Sequence, residues 1–267
     1  MEPAIVRSGD IELAWYSAGE GERTILLVMG LGGRAADWGR QFVSELGRRY
    51  RVLSFDNRGT GASSKPRATW SMRDMAEDSV RVLDAAGVQK AHVIGVSMGG
   101  VIAQLLALTH PDRVDHLVLM STYPGGQKME PPAPEAREVF VFPTGVPRDE
   151  IVRDRMRRIT APGFAAAHPA VIEELVGLAI AQPTPTRTFG AQLQAILDAP
   201  LAERIGEIRS PTLIIHGDCD PLIPIGNGRA IHERMPQARF HLLPGCGHLA
   251  MWEAPDELVR AVLDFLP

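Results

Sequence analysis

Short, continuous apolar runs recur along the chain and alternate with segments of helical periodicity. Such a run is typical of a strand that a parallel sheet buries on both faces, whereas residues 10–17 alternate as a half-exposed strand does. Strands that alternate with helices predict βαβ units and a mostly parallel sheet. The continuous runs are residues 24–29, 51–56, 91–96, 114–120, 211–217 and 238–243.

Three segments between or after these runs have the pattern of helices. Residues 71–86 begin with a serine and are followed by Gly87, which is a typical end of a helix. Residues 98–109 are almost wholly apolar, which predicts a buried helix, and residues 254–265 have the pattern of an amphipathic helix.

The alternation stops after the fourth continuous apolar run, residues 114–120. The segment that follows has no clear buried strand, is rich in proline, and has helical patterns at about 148–159, 169–181 and 186–198. It is too long to be a plain loop, so we expect a helical insertion that covers the carboxyl edge of the sheet. The predicted division is a core of residues 1–122 and 206–267 with a helical lid of residues 123–205.

Composition and charge restrict the class of protein. The chain has 267 residues, 45% of them hydrophobic and 22% charged, as is usual for globular proteins. The net charge of −4, without a basic cluster, argues against nucleic acid or an anionic membrane as partner. No apolar stretch is long enough for a membrane span, and the first residues do not resemble a leader. Two cysteines, Cys219 and Cys246, suit a reducing compartment, and we expect a cytoplasmic protein.

The clearest chemical signal is Gly95-Val96-Ser97-Met98-Gly99, between a predicted buried strand and a predicted buried helix. A serine in this context is held clear of the sheet, and the small flanking residues permit the tight turn. The amide of Met98 points to where an oxyanion would form. The motif predicts Ser97 as a nucleophile; the alternative is a helix N-cap serine beside packing glycines.

A serine nucleophile needs a base, and the base needs a residue that orients it. Of the eight histidines, His248 differs because it lies in a loop of small residues, Gly245-Cys246-Gly247, after the last predicted strand. Such a loop can bring an imidazole over the strand ends, so we expect His248 to be the base. The other seven lie in predicted strands, at a helix end or in polar surroundings.

Two aspartates can orient the histidine. Asp218 and Asp220 both follow the strand at residues 211–217. Asp220 lies further beyond the strand end, where it can reach a histidine, and is the preferred candidate. Asp218 is the alternative, although an aspartate here also suits a turn.

The three candidates occur in the chain order Ser97, Asp220, His248, together with six short motifs. These are MGLGG (29–33), DNRGTGAS (56–63), GVSMGG (95–100), HPDRV (110–114), HGDCDPLIP (216–224) and GCGH (245–248). With this order and these motifs the sequence resembles the α/β-hydrolase superfamily over nearly its whole length. The resemblance implies a mostly parallel eight-stranded sheet flanked by helices, a helical lid after the sixth strand, and no cofactor.

The resemblance also implies an oxyanion hole. Its backbone donors are the amides of Met98 and of Leu31, in the loop after the third strand. Met29 stands where the family usually has a histidine. The resemblance further indicates a structural role for DNRGTGAS, in which Arg58 pairs with Asp56 or with loop carbonyls.

The predicted lid also contains aromatic and charged residues. We expect an apolar substrate pocket to draw on Tyr123, Phe140, Phe142, Phe164 and Leu249. The lid arginines near residue 155 are typical of a solvated helix face; attraction of an anionic substrate is the alternative.

The two cysteines are expected to be buried thiols or, alternatively, a disulfide between neighbouring loops. The spacing of histidines and carboxylates predicts no metal site.

These features predict a serine hydrolase that cleaves small to medium carboxylic esters or lactones through an acyl-enzyme on Ser97. Similar proteins also cleave carbon–carbon bonds, open enol-lactones, remove N-terminal proline or form peracids. A slow-turnover ligand receptor or a non-hydrolytic biosynthetic catalyst is the alternative from another class. The expected partner is a small-molecule substrate, and the sequence leaves monomer and homodimer open.

Overall fold

The computed structural model describes residues 2–125, 130–199 and 201–267. In this part of the chain eight strands form one sheet. In chain order they are β1 (Ala4–Ser8), β2 (Ile11–Ala18), β3 (Thr24–Val28), β4 (Arg51–Phe55), β5 (Ala91–Val96), β6 (Val114–Met120), β7 (Thr212–Gly217) and β8 (Arg239–Leu243). Their spatial order is β1-β2-β4-β3-β5-β6-β7-β8. From β4 to β8 all neighbours are parallel, whereas β2 is antiparallel to β1 and β4.

The helices begin after the third strand. They are α1 (Arg40–Gly47), α2 (Met72–Ala85), α3 (Met98–Thr109), α4 (Pro134–Arg137), α5 (Arg148–Ile159), α6 (Phe164–Ala167), α7 (Pro169–Ala181), α8 (Thr186–Leu197), α9 (Ile225–Arg234), α10 (Ala250–Glu253) and α11 (Pro255–Phe265).

Helices cover both faces of the sheet. On one face α2, α3 and α9 contribute Met75, Ile102 and Ile231 to the larger apolar cluster. On the other face α1 and α11 contribute Phe42 and Val262 to a second cluster. Every residue of β3, β5 and β7 is buried, because these strands lie between the two layers. This burial explains why their sequences are continuous apolar runs rather than alternating ones.

The predicted fold class is confirmed: the sheet is mostly parallel, eight-stranded and flanked by helices. The six apolar runs are β3 to β8, and the predicted helix at 98–109 is α3. Strand β1 was not predicted, since most of its residues are exposed and its pattern is weak. The helices α1 and α9 were not predicted either.

Five helices, α4 to α8, lie between β6 and β7 in the described part of the chain, and we call residues 134–197 the helical insertion. Helices α5 and α7 pack through Val152, Ile172 and Val176, a small apolar cluster of their own. The predicted division of the chain at residues 123 and 205 stays a prediction, and residues 126–129 and 200 within it lie outside the described residues.

Within the residues that the structure describes, no helix combines the length and the apolar character that crossing a membrane requires.

Candidate active site

The predicted site residues follow four parallel strands at their carboxyl ends. Leu31 follows β3, Ser97 follows β5, Asp220 follows β7 and His248 follows β8. The carboxyl ends of parallel strands meet at one edge of a sheet, which is the usual place of a site in an open α/β fold. The topology therefore brings together residues that are far apart in sequence.

Ser97 occupies a sharp turn between β5 and α3. Its backbone has φ 56° and ψ −123°, a conformation that residues other than glycine rarely adopt. The turn is fixed because the Ser97 amide donates to the carbonyl of Met120 at 2.9 Å. A Cβ atom at Gly95 or Gly99 would overlap the carbonyl oxygen of Gly99 or Val28, respectively. The small flanking residues are therefore a steric requirement of the turn.

His248 and Asp220 form a buried pair. The Nδ1 atom of His248 lies 2.8 Å from Oδ2 of Asp220, and their side chains are 6% and 0% exposed. The other Asp220 oxygen, Oδ1, accepts the amides of Leu222 at 2.9 Å and Ile223 at 2.8 Å. An ionised carboxylate can only accept hydrogen bonds, so Nδ1 carries the proton and Nε2 has a free lone pair.

Asp218 makes a different contact and does not bind His248. Its Oδ1 accepts the amide of Gly245 at 2.7 Å, in an exposed position. We call residues 218–224 the acid loop and residues 244–249 the base loop. Asp218 thus joins these two loops, and Asp220 is the aspartate that contacts His248.

His216 supports the acid loop and was not singled out in the sequence. Its Nε2 lies 2.7 Å from the carbonyl oxygen of Ile223 and 3.8 Å from Oδ2 of Asp220. Burial lowers the pKa of His216, which favours a neutral ring that donates to the Ile223 carbonyl. Its place at the end of β7, four residues before Asp220, was the available signal.

Glu253 is a second residue that the sequence analysis missed. Its carboxylate accepts three backbone amides: Ala161 at 2.8 Å, Gly247 at 2.9 Å and Leu249 at 2.9 Å. Burial raises the pKa of Glu253, while the three amides act in the opposite direction. Because the last two donors flank His248, the carboxylate fixes the backbone on both sides of the predicted base.

Two backbone amides are available near Ser97. Among the described residues neither the amide of Leu31 nor that of Met98 has a hydrogen-bond acceptor, and both residues line the same cavity as Ser97. Met98 is the first residue of α3, where helical amides lack an internal partner. Two unpaired donors at this place can stabilise negative charge on an oxygen atom.

The helical insertion holds the loop that contains Leu31. The amide of Gly32 donates to Oε1 of Gln192 at 2.8 Å, and the hydroxyl of Thr184 donates to the carbonyl of Gly32 at 2.8 Å. Nε2 of Gln192 also donates to the carbonyl of Arg58 at 3.2 Å. These contacts fix the backbone next to the Leu31 amide. A glutamine in the middle of α8 gave no sign of this in the sequence.

The DNRGTGAS segment supports the same loop. Asn57 donates to the carbonyl of Met29 at 2.9 Å, and Asp56 accepts the amides of Ala35 at 2.9 Å and Ala62 at 2.8 Å. The expected pairing of Arg58 with Asp56 is wrong. The carboxylate of Asp56 is already occupied by amides.

Arg58 instead forms a two-point ion pair with Asp78 of α2, at 2.6 Å and 2.7 Å. The hydroxyl of Ser8 donates to the same carboxylate at 2.7 Å. The pair therefore connects the loop after β4 to α2 and β1.

A cavity of about 400 Å³ lies between the sheet edge and the helical insertion, and we call it the Ser97 cavity. Ser97, His248, Leu31 and Met98 line it. Of the residues predicted to form a pocket, four also line it: Tyr123, Phe140, Phe142 and Leu249.

The prediction for Phe164 is wrong. Phe164 is absent from the wall of the Ser97 cavity and packs instead with the cluster of α5 and α7. Its ring lies beside that of His168, with centroids 4.5 Å apart and the ring planes tilted by 30°. An aromatic residue in the insertion can face either the cavity or its own helices, and the sequence alone does not distinguish the two.

One group of side chains has the spacing of metal ligands. Possible ligand atoms of His92, Asp115 and His116 lie within 4.8 Å of one another. The group lies toward the amino ends of β5 and β6, away from the edge that carries Ser97.

Cys219 and Cys246 are free thiols. Their loops are neighbours, because the amide of Cys219 donates to the carbonyl of Cys246 at 3.0 Å.

Comparison with known proteins identifies the family of the chain. Residues 23–255 match the family model described as alpha/beta hydrolase fold. A relative from Azorhizobium caulinodans, named "Putative carbamate hydrolase RutD", is 32% identical over 257 residues, 96% of each chain. The 2-hydroxy-6-oxononadienedioate/2-hydroxy-6-oxononatrienedioate hydrolase of Paraburkholderia xenovorans is 29% identical over 282 residues, 97% of this chain and 91% of that protein.

A solved structure shows the same fold. The enol-lactonase from Burkholderia xenovorans LB400 superimposes with a TM-score of 0.85 at 24% identity, over 98% of this chain and 99% of that one. The family model covers most of the chain, and the relatives match it nearly from end to end. The chain therefore belongs to the alpha/beta hydrolase family and is a hydrolase.

Proposed function

We propose that this hydrolase cleaves small to medium carboxylic esters or lactones through an acyl-enzyme on Ser97. The observation that carries the proposal is the buried pair of His248 and Asp220, joined at 2.8 Å, in the wall of the cavity that Ser97 also lines. A serine, a histidine and a carboxylate in this relation form the machinery of acyl transfer in unrelated folds.

The first half of the reaction attaches the acyl group to the enzyme. Oγ of Ser97 attacks the carbonyl carbon while Nε2 of His248 takes the hydroxyl proton. Asp220 holds the ring in the tautomer with a free Nε2 and stabilises the imidazolium that forms. His248 then gives the proton to the leaving alcohol, or to the alkoxide of an opened lactone.

The developing negative charge needs donors that are already in place. The unpaired amides of Leu31 and Met98 would hold the oxyanion of the tetrahedral intermediate. Gln192 and Thr184 fix the loop of the first donor, and the first turn of α3 fixes the second. Little reorganisation is then needed as the charge forms.

Water completes the reaction. His248 activates a water molecule, which attacks the acyl-enzyme and releases the acid. Every atom is supplied by the substrate, water and the residues named, so the mechanism requires no cofactor. A cavity of about 400 Å³ fits the small to medium acyl group of the proposal.

Hydrolysis of a carbon–carbon bond is the second candidate. The relative from Paraburkholderia xenovorans, which is 29% identical to this chain, is named for a 2-hydroxy-6-oxo dioate substrate. The same nucleophile, base and oxyanion donors would act on the ketone carbon of such a compound. The two candidates differ in the leaving group, which would be a carbanion equivalent instead of an alkoxide.

The test is turnover of p-nitrophenyl esters from acetate to decanoate. We expect the wild type to complete many turnovers per protein. The rate of turnover should fall at least about 10³-fold in Ser97→Ala. Ser44→Ala, on the exposed surface of α1, is the control and should keep wild-type activity. Near-normal activity of Ser97→Ala would overturn the proposal. A single burst of product without turnover would favour an acyl-transfer or receptor role, and faster turnover of a 2-hydroxy-6-oxo dioate would favour the second candidate.

A further inference from the structure

Two arginines of the helical insertion line the Ser97 cavity without a carboxylate partner. Arg148 and Arg155 lie on α5, and neither is within ion-pair distance of an aspartate or glutamate in the described residues. The residues outside the described ranges include no aspartate or glutamate. The other arginines of α5 have partners: Arg153 with Glu173, and Arg157 and Arg158 with Asp154.

Arg155 is held in place without being neutralised. Its guanidinium carbon lies 4.2 Å from the ring centroid of Phe142 and 5.6 Å from that of Phe189. One terminal nitrogen donates to the carbonyl of Val141 at 3.1 Å. Its Nε is buried and has no hydrogen-bond partner among the described residues. The stacked rings orient the planar cation, and unused N–H donors remain.

The position of Arg155 is connected to the reacting centre. The ring of Phe189 packs against Gly32, the residue after Leu31. Phe189 and Arg155 therefore belong to the wall that continues from the unpaired amides toward the insertion. A substrate with its carbonyl at Ser97 would extend along this wall.

The charges around the Ser97 cavity leave an excess of positive charge. Arg34 and Asp37 line it as well, but they pair with each other at 2.9 Å. The charges of Arg148 and Arg155 remain uncompensated. Burial and the neighbouring Arg148 both lower the pKa of Arg155. A partly buried cation without a counter-ion is unfavourable, and an anionic ligand would offset this cost.

We propose that Arg155, assisted by Arg148, binds a carboxylate group of the substrate at the insertion side of the Ser97 cavity. The substrate class is then an ester or lactone that carries a free carboxylate remote from the scissile carbonyl. The guanidinium fork of Arg155 matches a carboxylate at two points, which gives orientation as well as charge recognition. This inference rests on the proposed function for the reacting carbonyl.

The experiment compares two esters that differ only in charge: mono-p-nitrophenyl suberate and its methyl ester. We expect wild-type kcat/KM to favour the free acid. The ratio of the two kcat/KM values should fall roughly 10- to 100-fold in Arg155→Met, as expected for loss of a charge-assisted contact. It should be intermediate in Arg155→Lys and equal to wild type in Arg157→Met, a matched change on the outer face of α5.

A binding measurement separates this inference from the proposed function. Monomethyl suberate is titrated into Ser97→Ala and into the double variant Ser97→Ala/Arg155→Met, and we expect weaker binding by the double variant. Failure of the wild type to cleave either ester would overturn the proposed function, while Arg155-dependent binding would still support the carboxylate site. A ratio near one in the wild type, or equal ratios in wild type and Arg155→Met, would overturn the inference.

Discussion

Glu253 accepts a hydrogen bond from the amide of Ala161 at 2.8 Å and so ties the end of α5 to the base loop. The same carboxylate accepts the amides of Gly247 and Leu249, on either side of His248. His248 itself donates its backbone amide to the carbonyl of Ile159 at 2.9 Å. The insertion that covers the cavity and the loop that carries the proposed base therefore share one set of hydrogen bonds.

This arrangement makes Glu253 a positioning residue for His248. We expect Glu253→Gln to lower the free energy of unfolding by about 1–3 kcal/mol, because an amide in place of one oxygen leaves a partly buried backbone N–H unpaired. Activity should fall at least about 10-fold, mainly in kcat. The measurements are urea unfolding and ester kinetics. Glu257→Gln, a change at a partly exposed site on α11, is the control; equal effects of the two changes would contradict the assignment.

The two aspartates of the acid loop should respond very differently to amidation. Asp220→Asn replaces the acceptor of His248 Nδ1 and favours the wrong tautomer, so we expect kcat/KM to fall by about 10³–10⁴-fold. Asp218→Asn keeps an oxygen that can accept the amide of Gly245, so the fall should stay below about 10-fold. Steady-state ester kinetics of both variants provide the measurement. The reverse order would transfer the orienting role to Asp218.

Gln192 should act through the loop that contains Leu31. It is fully buried and pairs with both Gly32 and Arg58. Gln192→Ala leaves a partly buried donor and a partly buried acceptor unpaired, and we expect a loss of about 1–3 kcal/mol in the free energy of unfolding. Because the neighbouring Leu31 amide would lose its support, kcat should fall about 10-fold or more.

The control for Gln192 lies on the same helix. Gln194 is exposed on α8, and within the described ranges its side chain bonds only to Asp198. Gln194→Ala should therefore keep the stability and kcat of the wild type, measured by the same assays. A stability loss in Gln192→Ala without any change in kcat would restrict Gln192 to a role in packing.

The sequence predicted the parts of this molecule that local pattern and chain order specify. Apolar runs predicted β3 to β8. The small residues around Ser97 predicted the tight turn, and the structure has no room there for larger residues. Residues that act through distant partners gave no such signal. In the sequence, Glu253 is one more charged residue just before the predicted helix at 254–265, and Gln192 is one more polar residue of the insertion.

Two errors have the same origin. Arg58 was expected to pair within its own loop, yet its partner is Asp78, one helix further on. Phe164 was expected in the cavity, yet the α5–α7 cluster provides an apolar contact inside the insertion. Both outcomes depend on which helix each residue meets in the folded chain, and periodicity carries no information about that packing.

The stability of the protein should fall in mildly acidic solution because of His92. This residue is 1% exposed, and burial lowers its pKa from 6.5 to about 4. Between these values the unfolded chain binds a proton that the folded chain does not. The stabilising effect of the neutral ring is therefore present above pH 6.5 and is lost as the pH falls toward 4. The loss should reach about 2 kcal/mol at pH 5.

Urea unfolding at pH 7.5 and pH 5 tests this effect. In His92→Leu the difference between the two free energies of unfolding should shrink by about 2 kcal/mol; a smaller difference should remain, because burial also lowers the pKa of His216. Ile94→Val, in the same strand, lowers stability without a titrating group, so its difference between the two pH values should equal that of the wild type. If the pH dependence of His92→Leu equals that of the wild type, then folding does not change the pKa of His92. This outcome would contradict the effect expected from its burial between the sheet and the layer of α1 and α11.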